Sequence, residues 1–329
     1  MYSLSKKAGW NQTSDDLKLL AGQDLQANLL AVADINGAYN PLGSGLVLNV
    51  GESLAWIGMI LVHPEHRRQG IASTIVEECI EVARLAMHNS IVGLDATPAG
   101  LQVYKNTGFQ TSIKIWRCQL KTDAAIQTDG SVEVFRDLSM YNYTEMLRGI
   151  GLHQKLAGLK LIQALHPEGT LMAISNGKPV GLVLTRPGRL KPFIGPLVAT
   201  STGAARTLLD HVLKYWKEKG HDEAFIDIPE KHFSGASRWE SEMKCNTPPT
   251  DCILGQGVEA ARCFIRMYEV ISDENFIRLS ARITQGNKYA RSIEALEHGR
   301  AGYAETVEYM KNELKSLEYQ YAVGGPELS

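Results

Sequence analysis

The residues with the most chemical content lie between a strand and a helix. Trp56-Ile57-Gly58-Met59-Ile60-Leu61-Val62 is apolar throughout, and a helical pattern of apolar residues starts at Ile71. In between stand His63, Pro64, Glu65 and His66, then Arg67, Arg68, Gln69 and Gly70. A helix start leaves backbone N–H groups without intrahelical acceptors and carries partial positive charge. Glycine lets an anion approach that backbone closely, and the two arginines add full charges. Such a loop suits a pyrophosphate. It has neither the G-x-x-x-x-G-K-S/T of a Walker loop nor the G-x-G-x-x-G of a dinucleotide turn.

A second segment follows: Leu94-Asp95-Ala96-Thr97-Pro98-Ala99-Gly100-Leu101-Gln102-Val103-Tyr104-Lys105-Asn106-Thr107-Gly108-Phe109. Arg67, Gly70 and Ala72 form R-x-x-G-x-A, and Tyr104, Gly108 and Phe109 form Y-x-x-x-G-F. Together, and in this order after a strand, they resemble the GCN5-related N-acetyltransferase (GNAT) superfamily. The resemblance implies that Arg67, Arg68, Gln69, Gly70, Ile71, Ala72 and Ser73 grip the pyrophosphate of acetyl-CoA. It sets the backbone of Ile60, Leu61 and Val62 against the pantetheine arm and the forming oxyanion, where two strands splay apart. It makes Tyr104 the acid that returns a proton to the leaving thiolate. It implies acetyl-CoA as co-substrate, no metal, and direct attack by an amine in a ternary complex.

The residues themselves leave alternatives open. Tyr104 also reads as a half-buried tyrosine packing at a helix end. Lys105 is either a solvated helix residue or a contact to the cofactor phosphates. Acetyl transfer needs the amine to lose a proton, since an alkylamine of pKa ~10 is mostly charged at neutral pH. Many family members carry a glutamate on the strand before the loop, but Ala55 to Val62 holds no carboxylate. Asp95 is the catalytic candidate that remains near, yet it also reads as a cap for the turn ahead of Pro98. Glu52, a water relay and His63 are further options. His63 and His66 share one turn with Arg67, but the reading finds no third metal ligand nearby.

The elements that must position these residues occur twice. Ile57-Gly58 to Val62, a helix, then Gly93 to Pro98 parallels Ile194-Gly195 to Val198, a helix, then Phe225 to Pro229. The spacings from Gly58 to Asp95 and from Gly195 to Asp227 are 37 and 32 residues. Upstream of each stands a pair of antiparallel strands: Asn28 to Ala33 with Gly45 to Leu48, and Thr170 to Ile174 with Val180 to Leu184. The expected fold is α/β with a mixed sheet, and the resemblance implies a tandem GNAT. The reading divides the chain into an acetyl-CoA-binding domain at 1–122, a GNAT-like domain at 130–271 and a helical C-terminal extension at 272–329.

In the first helix Ala72, Ile75, Val76, Cys79, Ala83 and Ala86 form the core stripe, with Glu77, Glu78, Glu81 and Arg84 on other faces. Its counterpart uses Ala205, Leu208, Leu209, Val212, Leu213 and Trp216. The second loop, Ala199 to Arg206, has a lone arginine past the helix start, Thr202 or Ser201 as its N-cap, and no Y-x-x-x-G-F behind it. The second copy therefore reads as degenerate, a wall for the acceptor rather than a second cofactor site. The first copy begins already in a helical region, 1–20, which contains Ala8-Gly9-Trp10-Asn11-Gln12-Thr13, a string similar to one in two-domain bacterial GNAT proteins. A first strand is thus expected to be missing, leaving Leu29 to Ala33 at an apolar edge. Coverage by the C-terminal region, or pairing in a homodimer, is expected over exposure. In the extension, Val307, Met310, Leu314 and Leu317 are the expected buried face of a helix over 304–317.

Composition bounds the rest. A net charge of -2 without a basic run argues against nucleic acid. Five cysteines without metal-ligand spacing, no signal peptide and no long apolar run suit a reducing, cytoplasmic location and no membrane. The leading reading is an acetyl-CoA-dependent N-acetyltransferase acting on a small amine or exposed amino group. The alternative is a non-catalytic acyl-CoA-binding sensor or interaction protein, favoured by the missing carboxylate. A nucleotide-binding protein of another α/β fold fits less well.

Overall fold

The computed structural model describes residues 1–23, 28–51, 53–88, 91–136, 143–152, 156–233, 252, 254, 259–286, 291–316 and 320–322. Glu52 lies outside them, as does Leu317. In chain order the elements are α1 (Tyr2–Lys7), α2 (Ser14–Gln23), β1 (Asn28–Ile35), β2 (Ala38–Asn49), β3 (Leu54–Val62), α3 (Ile71–Glu81), β4 (Ile91–Ala96), α4 (Leu101–Asn106) and β5 (Phe109–Lys121). There follow β6 (Glu133–Phe135), α5 (Tyr143–Gly149), α6 (Leu156–Leu165), β7 (Leu171–Ser175), β8 (Lys178–Arg186), β9 (Phe193–Ala199), α7 (Thr202–Glu218) and β10 (Glu223–Pro229). The chain ends with β11 (Glu259–Glu269), α8 (Asp273–Thr284), α9 (Ile293–Ala301), α10 (Tyr303–Ser316) and β12 (Gln320–Ala322). None of the helices among the described residues is long and apolar enough to cross a membrane.

Two compact units result. The first is Met1–Ser112 with Arg266–Met310, the second Ile113–Ile265 with Lys311–Ser329. The polar stretch 121–130 is not where the units divide. Strands β5 and β11 each begin in one unit and finish in the other, and α8 and α9 belong to the first unit. Hydrogen-bonded strand order decides this: β11, from late in the chain, lies between β4 and β5. The first unit thus runs β1-β2-β3-β4-β11-β5, and the second β5-β10-β9-β8-β7-β6. Strand β3 is parallel to β4 and β9 to β10, whereas β1 with β2, β2 with β3, β5 with β10, β6 with β7, β7 with β8 and β8 with β9 are antiparallel. Each parallel pair encloses a helix, α3 or α7, as a crossover requires.

In the first unit α3 packs Ile75, Val76, Cys79 and Ile80 into the core, as helical spacing requires. Two residues expected on solvated faces are buried instead: Glu77 is 3 % and Arg84 1 % exposed. The C-terminal segment supplies their partners. Arg84 forms two hydrogen bonds to Glu269 Oε2, at 3.1 and 2.9 Å, and Arg291 pairs with the other oxygen of Glu269. In the second unit the expected α7 stripe, Ala205, Leu208, Leu209, Val212, Leu213 and Trp216, is buried throughout.

Two expectations about the periphery change. Strand β1 ends the order, and Leu30 and Val32 are 54 % and 45 % exposed. Among the described residues no C-terminal strand pairs with β1, and β12 pairs with β9. On α10 the buried face is Thr306, Tyr309, Glu313 and Ser316, while Leu314 is exposed. The Tyr309 ring packs edge-on against Tyr268 at 5.3 Å, which turns the helix away from the apolar stripe.

Candidate acyl-CoA site

Strand β3 bonds to β4 only from Leu54 to Trp56, opposite Ile91 to Gly93, although both strands run on. Past that point they part. On its other side β3 stays paired with β2, through a bulge at which Met59 takes a φ of 54°. Ser44 Oγ fixes the bulge by donating to the Met59 carbonyl at 2.9 Å. Positive φ is costly for a methionine, and such strain persists only where surrounding contacts enforce it. The result is a β3 backbone free on its β4 side over Ile60, Leu61 and Val62.

The loop after β3 turns sharply into α3. Arg68 has a φ of 60° and Gly70 a φ of 81°. Gly70 is the N-cap residue and offers no side-chain acceptor, so the first N–H groups of α3 are left to a ligand. Arg67 and Arg68 are exposed, and Arg67 Nε donates to the Val62 carbonyl at 3.4 Å.

These pieces line one cleft of about 670 Å3. Ile60, Leu61, Val62, Arg67, Arg68, Gly70, Ile71, Ala72, Ser73 and Tyr104 all face it. Gln69, Lys105 and Asp95 are not among its lining residues. Sequence reasoning missed His66, Thr97, Ala99, Gly100 and Val103. It quoted Ala8 and Trp10 only as part of a similar string, and both line the cleft.

Tyr104 is 8 % exposed and packs edge-on against Phe109 at 6.0 Å. Burial drives its phenol pKa upward, with the nearby Cys79 adding to the shift, so the group stays protonated. Gly100 makes room for the ring: a Cβ there would stand 2.9 Å from Tyr104 Cε2. Gly100→Ala should therefore displace the ring, costing about 1–3 kcal/mol of stability by overpacking. A change in Tyr104 fluorescence with lowered turnover would register it; unchanged kinetics would mean the ring is free to move aside.

Asp95 requires a correction. Its side chain is 1 % exposed and accepts two hydrogen bonds from Arg266, each of 2.9 Å. Arg266 also lies over the Trp56 ring at 4.9 Å. Both carboxylate oxygens are thus engaged in the core, away from the cleft. The second unit repeats the device, with Arg117 donating to Asp227 at 2.7 and 2.8 Å. In each unit the repeated aspartate is held in a buried ion pair.

His63 stands apart from the cleft lining, with its Nε2 2.7 Å from Lys7 Nζ. Ligand atoms of His63, Glu65 and His66 come within 4.8 Å of one another. An ammonium already on His63 opposes a cation there.

Glu77 has no hydrogen-bond partner for either oxygen among the described residues. Burial raises its pKa to about 7 from an ordinary 4.5, against the pull of Arg282 and Arg291. The folded state therefore binds this proton more tightly, and stability is lost as pH rises from about 4.5 to about 7. Glu77→Gln should be more stable than the parent at pH 8 by about 2–3 kcal/mol, with the difference vanishing near pH 4. Urea titrations at the two pH values check this, and equal stabilities at pH 8 would contradict it.

The second unit shares the early parting of its parallel strands but differs at the gap and at the helix start. Strands β9 and β10 also part early, after Ile194 and Ile226. Here β12 bonds to β9 at Leu197 and Val198, the stretch that corresponds to the free edge of β3. The α7 N-terminus is capped by Ser201, which accepts from the Ala204 N–H at 3.2 Å. The Asp129 carboxylate is packed so near that a Cβ on Gly203 would stand 2.8 Å from it.

The first unit thus joins a parted parallel strand pair by a helix whose start carries no side-chain cap. Residues 2–109 match the sequence model of the acetyltransferase (GNAT) family. Two solved structures share the fold. A putative acetyltransferase from Pyrococcus horikoshii aligns with a TM-score of 0.55 at 19 % identity, covering 77 % of each chain. A GCN5-related N-acetyltransferase from Sphaerobacter thermophilus aligns with a TM-score of 0.56 at 18 % identity, covering 77 % of this chain and 83 % of its own. A search of curated proteins returns no match.

Proposed function

We propose that the first unit binds acetyl-CoA and transfers its acetyl group to an amine by direct attack in a ternary complex. One observation carries the reading: a single cleft gathers the free β3 edge, the uncapped α3 start with Arg67 and Arg68, and the Tyr104 phenol. Arg67, Arg68 and the N–H groups from Gly70 to Ser73 hold the pyrophosphate. The backbone N–H groups of the β3 edge orient the pantetheine arm and the thioester carbonyl, where they stabilise the oxyanion. The amine nitrogen attacks the carbonyl carbon, the C–S bond breaks, and Tyr104 gives its proton to the departing thiolate. Lys105, Gln69 and Asp95 have no contact role in this scheme.

Among the described residues the cleft lining holds no carboxylate, and we assign the amine proton to water or to His66, the one imidazole among the described lining residues. That same absence favours the second reading, a non-catalytic acyl-CoA sensor. The acceptor is a small amine or an exposed amino group. We assign the second unit no acyl-CoA site, since its strand gap holds β12 and its helix start is self-capped. Screening amines for thiol release from acetyl-CoA separates the readings. Release that depends on an amine supports the transferase. Acetyl-CoA binding without release for any amine class supports the sensor.

A further inference from the structure

A smaller cavity of about 220 Å3 adjoins the main cleft through Ser73, which lines both. Its other lining residues are Glu77 on α3, Asn106 and Thr107 at the end of α4, and Arg278 and Arg282 on α8. Its polar content is unusual for a surface hollow. Two guanidinium groups one helical turn apart project from α8 over a carboxyl group that is 97 % buried and has no hydrogen bond on either oxygen. The nearest cation to that carboxyl is Arg282 Nη2, at 3.6 Å, beyond hydrogen-bond reach. Arg278 is exposed, and its one described side-chain partner is the neutral Asn275 oxygen at 3.2 Å.

We infer that this cavity is a phosphate subsite that takes the 3′-phosphate of the ribose of coenzyme A, with Arg278 and Arg282 as its cationic walls. The inference rests on the acyl-CoA reading of the main cleft. Three arguments support it. First, the charge is right: two guanidiniums against one carboxyl leave the cavity positive, and guanidinium forks match phosphate oxygens. Second, the donors are complete: Ser73 supplies a hydroxyl, Asn106 an amide, and Glu77 in its protonated form an O–H to a phosphate oxygen. With Glu77 ionised, Arg282 is drawn to it instead, so the carboxyl also tunes the site. Third, the place is right: Ser73 is in the first turn of α3, whose start holds the pyrophosphate, and the 3′-phosphate is joined to that pyrophosphate through a single ribose. The helix that supplies both arginines belongs to the C-terminal segment of the first unit. That segment therefore completes the ligand site rather than merely packing on the domain.

The test is calorimetric titration of the full chain with coenzyme A and with 3′-dephospho-coenzyme A. Coenzyme A should bind about tenfold more tightly or better, since hydrogen bonds to charged groups are worth about 1.5–3 kcal/mol each. In Arg278→Gln/Arg282→Gln, the ratio should fall to near one while affinity for the dephospho compound stays unchanged. Both side chains are at least partly exposed, so folding is preserved. Equal affinities in the parent, or a ratio unchanged in the variant, would overturn the subsite while leaving the acyl-CoA reading intact. Failure of both compounds to bind would remove the acyl-CoA reading and this inference with it.

Discussion

Replacing Tyr104 by phenylalanine is expected to lower kcat by roughly 10²–10⁴ while leaving acetyl-CoA affinity within about twofold. The ring and its contact with Phe109 survive the change, as does the clearance provided by Gly100. Only the proton is removed. A coenzyme A thiolate, of pKa near ~8.5, leaves more readily when protonated as the C–S bond breaks. Burial holds the Tyr104 phenol in its protonated form, so the donor is charged with its proton whenever the substrate is bound. Steady-state kinetics with any accepted amine decide the matter. Unaltered turnover would return Tyr104 to a packing role.

The second large effect concerns Asp95. Asp95→Ala should destabilise the fold by about 3–5 kcal/mol, because it leaves Arg266 buried, charged and unpaired. Arg266 is fully buried and stacked on Trp56, so water cannot take the place of the carboxylate. Asp95→Leu combined with Arg266→Met should recover most of that loss. Asp95→Asn keeps the shape, and its turnover per folded molecule should stay within a few-fold of the parent. A loss of kcat by orders of magnitude in that variant, with stability retained, would restore Asp95 as a base.

These residues also show what a sequence can disclose. The strand, loop and helix from Trp56 to Ser73 were legible because their geometry is local: a few consecutive residues set the turn, the charge and the helix start. Tyr104 was legible through its spacing to Gly108 and Phe109. Asp95 was visible as a repeated residue, but its partner was not. Arg266 lies 171 residues away, and Arg84 lies 185 residues from Glu269. Periodicity set Glu77 and Arg84 on faces other than the apolar stripe, and nothing local announces that the C-terminal segment returns to bury them. The place of β11 was hidden for the same reason. A strand that inserts between β4 and β5 from late in the chain leaves no mark near either neighbour. Gly100 and Trp10 escaped notice as cleft residues because a concave surface is assembled from separate segments. Their types, a glycine and a tryptophan, suit ordinary turns and cores equally well.

The central claim is one acyl-CoA site, in the first unit, built on the α3 start. Isothermal titration of acetyl-CoA into the full chain tests it most directly. The account predicts a stoichiometry near one, with binding weakened by several kcal/mol in Arg67→Ala/Arg68→Ala, as charge-assisted phosphate contacts are worth about 1.5–3 kcal/mol each. A stoichiometry near two, or an affinity unchanged by the loss of both arginines, would contradict it.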